Sequence, residues 1–377
     1  MRVLIACGGT GGHINPGLAI ADIIKSKYPD TEFLFAGTPK GMEAKLVPAA
    51  GYRFETIKVA GFQRRISLEN IGRNAKAVAY LITSGRRAKQ IIEGFKPDIA
   101  IGTGGYASGP VIRKAARMGI PTAIHEQNAY PGVTNKLLSK EVDHVMLTVK
   151  EALNFMDGSK FEHTVTGLPV RSNIKNSISR AEARKKLGFN DDFTILSFGG
   201  SLGAGCINET MTEAIKWHVG KDLAINHIHG YGGMGKDTFP QAMKAAGSPL
   251  KSNNLRITEY INDMDVCLAA ADLVICRSGA STLAELEAAG RASILIPSPI
   301  VAGNHQYHNA MVLGKAGAAV VVEQKDASPK RIISEIEKLY NSPDTVAVMS
   351  QSAAKLHLSD TNERILAVID KLIAKKK

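Results

Sequence analysis

Short apolar runs in this chain are followed by glycine and then by apolar residues at helical spacing, and that order recurs. Val3–Ala6 reads as a strand buried on both faces. Gly8, Gly9, Gly11 and Gly12 flank Thr10, and Leu18, Ile20, Ile23 and Ile24 then fall at helical spacing. At residue 194 the pattern restarts as TILSF, GGSLGAG and INETMTEAIKWH, so the two glycine runs stand 191 residues apart. Residues 97–126 and 271–297 form a second matching pair. Each runs through Asp, a buried strand, a glycine loop, a helix, a glycine and another strand.

Each half therefore reads as one α/β unit with two glycine loops at the carboxyl ends of parallel strands. Ligands bind there in open sheets. TVTGLPVRSNI (164–174) has the glycine and proline of a linker. The expected fold class is α/β, with two doubly wound domains facing each other across a cleft. They are expected over 1–166 and 167–349, with a helix at about 350–377 packing back on the first.

Length and composition agree with this division. The 377 residues exceed one ordinary core, and 44% hydrophobic with 22% charged residues is globular. The opening apolar run ends too early for a signal peptide, and no stretch approaches the roughly 20 apolar residues that span a bilayer. Cys7, Cys206, Cys267 and Cys276 show no CxxC spacing, which suggests a reduced cytosolic protein.

Charge changes the picture more. The net charge is +12, and residues 1–165 hold 22 lysines and arginines against 14 acids. Residues 58–96 alone hold nine basic and two acidic side chains. Such a stretch is either a solvated surface or one that seeks phosphate, on nucleic acid or on an anionic membrane. Within it, Ile71, Ala75, Val78 and Ile82 recur at helical spacing among Arg64, Arg65, Arg73, Lys76, Arg86, Arg87 and Lys89. The stretch lacks the interleaved aromatics of a nucleic-acid stacking surface, so no nucleic-acid partner is expected.

The glycine loops do not spell a dinucleotide site. Gly9 and Gly11 run into Ile14, and Gly203 and Gly205 into Asn208. Gly230, Gly232 and Gly235 match G-x-G-x-x-G, but KDTFPQ behind them is a poor helix start, so the match reads as chance. No P-loop appears. The loops do offer bare N–H groups at helix N-termini, which favour an anionic ligand over plain turns when four recur.

Polar residues gather around these loops. HEQN (125–128) ends a buried strand, where four polar side chains suit function better than core. RSGASTLAE (277–285) sets Ser281 and Thr282 near a helix start, with Glu285 one turn in as a ligand group or a capping carboxylate. GNHQYHN (303–309) is a further polar loop, in which His308 reads as a surface residue. NDMDVCLAAAD reads as a capped helix rather than a metal-binding DxD, so no metal and no cofactor are assigned.

In this order, GGTGGH (8–13), GGYASGP (104–110), HEQN (125–128) with G-x-T-N (132–135), GLPVR (167–171), GGSLGA (199–204), RSGASTLAE (277–285) and HQYHNA (305–310) resemble one family over nearly the whole chain. It is the bacterial undecaprenyldiphospho-muramoylpentapeptide β-N-acetylglucosaminyltransferase family. The resemblance implies a GT-B architecture of two Rossmann-like domains, the first facing acceptor and membrane, the second binding donor. It implies transfer of GlcNAc from UDP-GlcNAc to the C4 hydroxyl of MurNAc on lipid I, giving lipid II with inversion. It also implies a peripheral enzyme on the anionic cytoplasmic face of the membrane.

Matched to the family pattern, Thr10, Gly11 and Gly12 lie on the donor side, and Asn128 reaches the sugar. Arg171 and Ser201 approach the diphosphate, and the Ile261 backbone reads uracil. Ala280, Ser281, Thr282, Leu283, Ala284 and Glu285 hold diphosphate and ribose, and Gln306 binds GlcNAc. Leu168, Leu202 and His305 depart from the family pattern and receive no role. The base is His13, with Glu126 and His125 as competitors. Rival readings are a diacylglycerol glucosyltransferase, a UDP-GlcNAc 2-epimerase and a basic nucleic-acid-binding protein.

Overall fold

The structure is a computed structural model that describes residues 1–59, 83–175, 178–200 and 202–376. It divides into two compact units, Met1–Pro169 with Asp360–Lys377, and Val170–Ser359.

The first unit is built on a parallel sheet. Its strands are β1 (Arg2–Cys7), β2 (Glu32–Gly37), β3 (Arg53–Thr56), β4 (Ile99–Gly104), β5 (Thr122–Glu126), β6 (His144–Leu147) and β7 (His163–Val165). Their order is β3-β2-β1-β4-β5-β6-β7. Strand residues alternate between two cores. Leu4, Ala6, Leu34, Ala100 and Ile124 enter one, and Val3, Ile5, Phe33, Phe35, Ile99, Ile101 and Ala123 the other. Burial on both faces explains why these strands read as unbroken apolar runs.

Helix Thr361–Lys376 belongs to this unit and completes the second core with Ile365, Val368, Ile369 and Leu372. Asp370 accepts from Lys27 and from the Tyr28 hydroxyl, each at 2.6 Å. The division falls after Pro169, whereas the linker reading put it before Gly167. Residues 350–359, expected with the first unit, stay with the second. Ser350 there lies on helix Pro343–Leu356, and its hydroxyl accepts from the Ala292 amide at 3.2 Å.

The second unit repeats the plan. Its strands are β8 (Phe193–Phe198), β9 (Ile225–Gly230), β10 (Lys251–Ser252), β11 (Leu255–Thr258), β12 (Leu273–Cys276), β13 (Ala292–Leu295) and β14 (Ala319–Val321). They run β10-β11-β9-β8-β12-β13-β14, parallel except for β10 against β11.

The repeated Asp, ahead of β4 in one unit and of β12 in the other, makes the same contact in both. Asp98 accepts the Arg2 amide at 2.6 Å, and Asp272 accepts the Thr194 amide at 2.8 Å. Each carboxylate pins the start of the strand that leads into a glycine loop. Asp272 also takes the Arg184 guanidinium at 2.5 Å, a buried pair.

Two local readings change. Helix Thr238–Ala245 does follow Gly230, Gly232 and Gly235, because Pro240 sits in its first turn, where a missing N–H is harmless. The Gly203 loop presses on this segment: at Gly203 (φ 84°) an added Cβ would lie 2.2 Å from the Tyr231 carbonyl oxygen. Helix Met264–Ala270 forms as expected, but the Asp263 side chain does not cap it. It binds Arg256 bidentately at 2.8 Å and 2.8 Å, and that guanidinium holds its carboxyl below the usual range.

The second unit also buries a chain of histidines that the sequence did not announce. His218 Nε2 lies 3.2 Å from His227 Nδ1. Ser197 Oγ lies 2.9 Å from His227 Nε2 and 2.8 Å from His229 Nδ1. Burial pulls all three rings down, His218 to about 4 and His229 to about 3.

Candidate active site

In the first unit, β1 ends in the glycine loop, and Thr10 is the N-cap of helix Gly11–Lys27 with extended backbone. Its side chain makes no cap bond, and helix geometry leaves the Gly11 and Gly12 amides without intrahelical acceptors. A wholly buried carboxylate, Glu43, shapes the loop from below. It accepts the Gly9 amide at 3.2 Å, the Thr38 amide at 2.8 Å and the Thr38 hydroxyl at 2.6 Å. Nothing in the surrounding sequence signalled that role.

His13 stands one residue past the loop. The Thr103 hydroxyl donates to its carbonyl at 2.8 Å, and its Nδ1 lies 3.0 Å from Gln127 Oε1. Its ring seats on Gly104 (φ 109°), where a Cβ would come within 2.6 Å of Nδ1. The turn that ends β4 is thus shaped to admit the imidazole.

The HEQN segment is built around buried groups. Glu126 is 1% exposed and accepts four hydrogen bonds. They come from the Asn128 amide (2.9 Å), Asn128 Nδ2 (3.2 Å), the Gly132 amide (3.0 Å) and Asn135 Nδ2 (2.8 Å). A carboxylate engaged this way organises the 126–135 loop and orients Asn128. His125 is fully buried. Burial lowers its pKa, against the hydrogen bond its Nε2 makes to the Gly167 carbonyl at 3.0 Å.

In the second unit, β12 leads through Arg277, Ser278 and Gly279 into helix Ala280–Ala289. Ala280, Ser281 and Thr282 form its open first turn. Leu283 and Ala284 turn into the core, and the Leu283 amide already donates to the Gly279 carbonyl at 3.0 Å.

Glu285 receives Arg171 Nε at 3.1 Å and Nη2 at 2.9 Å, both on Oε1. Burial raises the Glu285 pKa, and Arg171 opposes the shift. Oε2 lies outside this ion pair. Gln306 is the second residue of helix His305–Lys315, which follows β13. Its Oε1 accepts the Ser298 amide at 2.9 Å, which fixes the amide and turns Nε2 to other acceptors. Ser278, buried beneath, donates to the Gln306 carbonyl at 2.7 Å. Ile261 follows β11 and is 6% exposed. Ser201 lies outside the described residues.

The expected residues thus fall into two groups. His13, Glu126 and Asn128 gather with the Thr10–Gly12 loop in the first unit. Arg171, Ile261, Ala280–Glu285 and Gln306 belong to the second. Glu43, Thr103, Asn135 and Ser278 were not assigned from sequence. Gln127 stood inside a quoted motif without a role.

Two sheets that share a parallel core order, the second with β10 added as an antiparallel edge, and each with glycine loops at strand carboxyl ends, define the class: a twin Rossmann-like α/β protein of the GT-B type. Residues 3–147 match the glycosyltransferase family 28 N-terminal domain and residues 194–365 its C-terminal domain, and the chain belongs to that family.

Over its whole length the chain is 46% identical to the UDP-N-acetylglucosamine–N-acetylmuramyl-(pentapeptide) pyrophosphoryl-undecaprenol N-acetylglucosamine transferase of Acetivibrio thermocellus, covering 99% of that protein. It is 41% identical to the protein of the same name from Desulforamulus reducens, with both chains covered in full. Among solved structures it is similar to Acinetobacter baumannii MurG, with a TM-score of 0.77 and 27% identity over 98% of this chain and 99% of that one. A UDP-GlcNAc 2-epimerase from Neisseria meningitidis shares the fold at a TM-score of 0.65 and 12% identity, over 98% of this chain and 100% of that one.

Proposed function

We infer that this chain is an inverting glycosyltransferase that moves GlcNAc from UDP-GlcNAc to the C4 hydroxyl of MurNAc in undecaprenyl-pyrophosphoryl-MurNAc-pentapeptide. The product is lipid II. The observation that carries this is the full-length 46% identity to a transferase of that name, with the family's motifs in order.

In this reading the acceptor O4 attacks the anomeric carbon from the face opposite UDP. The C1–O bond to the diphosphate breaks, and UDP leaves with the electron pair. His13 takes the O4 proton. Arg171, the first turn of helix Ala280–Ala289 and the glycine-loop amides stabilise the charge developing on UDP. Ser201 joins them as a diphosphate contact. Glu285 accepts from the ribose hydroxyls through Oε2, the Ile261 backbone meets uracil, and Gln306 and Asn128 hold the sugar. Glu126 acts through Asn128.

The test supplies labelled UDP-GlcNAc and a lipid I analogue, and the expected product is a β1→4 disaccharide. Turnover of the donor at full rate without acceptor would overturn the reading, in favour of an epimerase if the product stays linked to UDP and of a hydrolase if UDP is released. Glu285→Ala should weaken donor binding by about 1.5–3 kcal/mol, because buried ribose hydroxyls lose a charged acceptor. Unchanged donor affinity by calorimetry would remove Glu285 from the site.

An acceptor on undecaprenol places the reaction at a membrane surface, here the anionic cytoplasmic leaflet. No described helix is long and apolar enough to cross a membrane. The basic stretch 62–90 supports peripheral docking by charge, although its residues 62–82 lie outside the described residues. Arg87 is already held by Glu55 at 2.5 Å and the Thr56 carbonyl at 3.2 Å, so the reading rests on the other arginines. Changing Arg64, Arg65 and Arg86 together to Gln should reduce sedimentation with anionic vesicles and spare activity on a short-chain acceptor. Each basic residue near such a surface is worth roughly 1 kcal/mol. Undiminished vesicle binding would place the membrane face elsewhere.

A further inference from the structure

The hydrogen bonds around His13 determine which of its ring nitrogens carries the proton. Two backbone carbonyls, which can only accept, anchor these bonds. His125 Nε2 lies 3.0 Å from the Gly167 carbonyl oxygen, so that nitrogen bears the hydrogen. Burial keeps the His125 ring neutral, so its Nδ1 is a bare acceptor. Gln127 Nε2 meets that Nδ1 at 3.1 Å and the His125 carbonyl oxygen at 2.9 Å. Both partners demand a donor, which fixes the orientation of the Gln127 amide. Its Oε1 therefore faces His13 Nδ1, at 3.0 Å, as an acceptor.

We propose that His125 and Gln127 form a neutral relay, anchored on the Gly167 carbonyl, that holds His13 as its Nδ1–H tautomer and presents Nε2 with a bare lone pair. They are positioning residues for the proton transfer, and their catalytic part rests on the reading of His13 as the base. The arrangement resembles the logic of a carboxylate behind a catalytic histidine, but with an amide in that place. An amide orients the ring through a hydrogen bond and places no charge beside it. Glu126, the adjacent carboxylate, points away, into its bonds with Asn128, Gly132 and Asn135. The 125–127 segment thus separates a neutral orienting side chain from a charged loop anchor.

The test is nitrogen NMR of the full-length protein labelled in the histidine imidazoles, with the His13 signals identified by their loss in His13→Ala. Above the titration range, His13 should show a protonated Nδ1 and an unprotonated Nε2. The opposite tautomer in the wild type would overturn the relay regardless of activity. Gln127→Met keeps the volume and removes the acceptor, and it should give a mixture of tautomers. Its kcat should fall roughly 10–100-fold, with KM for UDP-GlcNAc unchanged. An unchanged kcat beside a mixed tautomer would overturn the positioning role. If His13→Ala retains its kcat while the wild-type tautomer is as expected, the failure lies in the assignment of the base, and the catalytic part of the relay falls with it.

Discussion

Replacing His13 by alanine should lower kcat on lipid I by roughly 10²–10⁴-fold and leave UDP-GlcNAc affinity nearly intact. The expectation follows from elimination on the structure. Of three candidate bases, Glu126 has its oxygens taken by Asn128, Gly132 and Asn135, and His125 is wholly buried against the Gly167 carbonyl. His13 is half-buried at a helix start, its Nδ1 engaged by Gln127. Its Nε2 has no hydrogen-bond partner among the described residues, so it can receive the acceptor proton. A base acts in the transition state, so its loss appears in kcat rather than in donor binding. Donor titration by calorimetry and turnover at saturation separate the two. A collapse of donor affinity with turnover preserved would make His13 a binding residue.

The second unit should lose roughly 6 kcal/mol of stability on mild acidification, between about pH 6.5 and pH 5. His218, His227 and His229 are buried with their pKa values lowered, to about 4 for His218 and about 3 for His229. The unfolded chain takes up protons on these rings near pH 6.5, and the folded chain does not. Stability is therefore fully present above that value and is lost as pH falls below it. Each ring contributes about 1.4 kcal/mol per pH unit, so three together contribute roughly 4. Over 1.5 units that is roughly 6 kcal/mol, against a typical domain stability of about 5–15 kcal/mol. Trp217, the single tryptophan, precedes His218 on the same helix and reports this unit by fluorescence. Urea midpoints that stay level from pH 7 to pH 5.5 would show that the rings exchange protons in the folded state. His229→Leu should flatten the dependence by about a third.

Much of the fold was legible in the sequence because its signals are local. Strands covered on both faces must be apolar throughout, and a strand that turns sharply into a helix calls for glycine. The two matched segment pairs therefore announced two parallel-sheet units of one plan. The polar HEQN run was conspicuous because it ends a buried strand. The helix behind Gly235 was misread because Pro240 lowers helix propensity, and a proline in the first turn costs the helix little.

What the sequence alone determined is the class of the protein: two α/β units, glycine loops at strand ends, and a set of motifs that identify its family. What each polar residue does was decided only by tertiary structure. Glu126, Gln127 and His125 are adjacent in the chain, yet one anchors a loop, while Gln127, braced by His125, meets a ring 114 positions away in sequence. Glu43 reaches the first glycine loop across 34 residues, and Asp272 reaches Thr194 across 78. The histidine chain is assembled from β8, β9 and the helix between them. The physical reason is range. Propensity and periodicity act over a few residues. A hydrogen bond or a pKa depends on what the completed fold brings within about 3 Å, which no local pattern encodes.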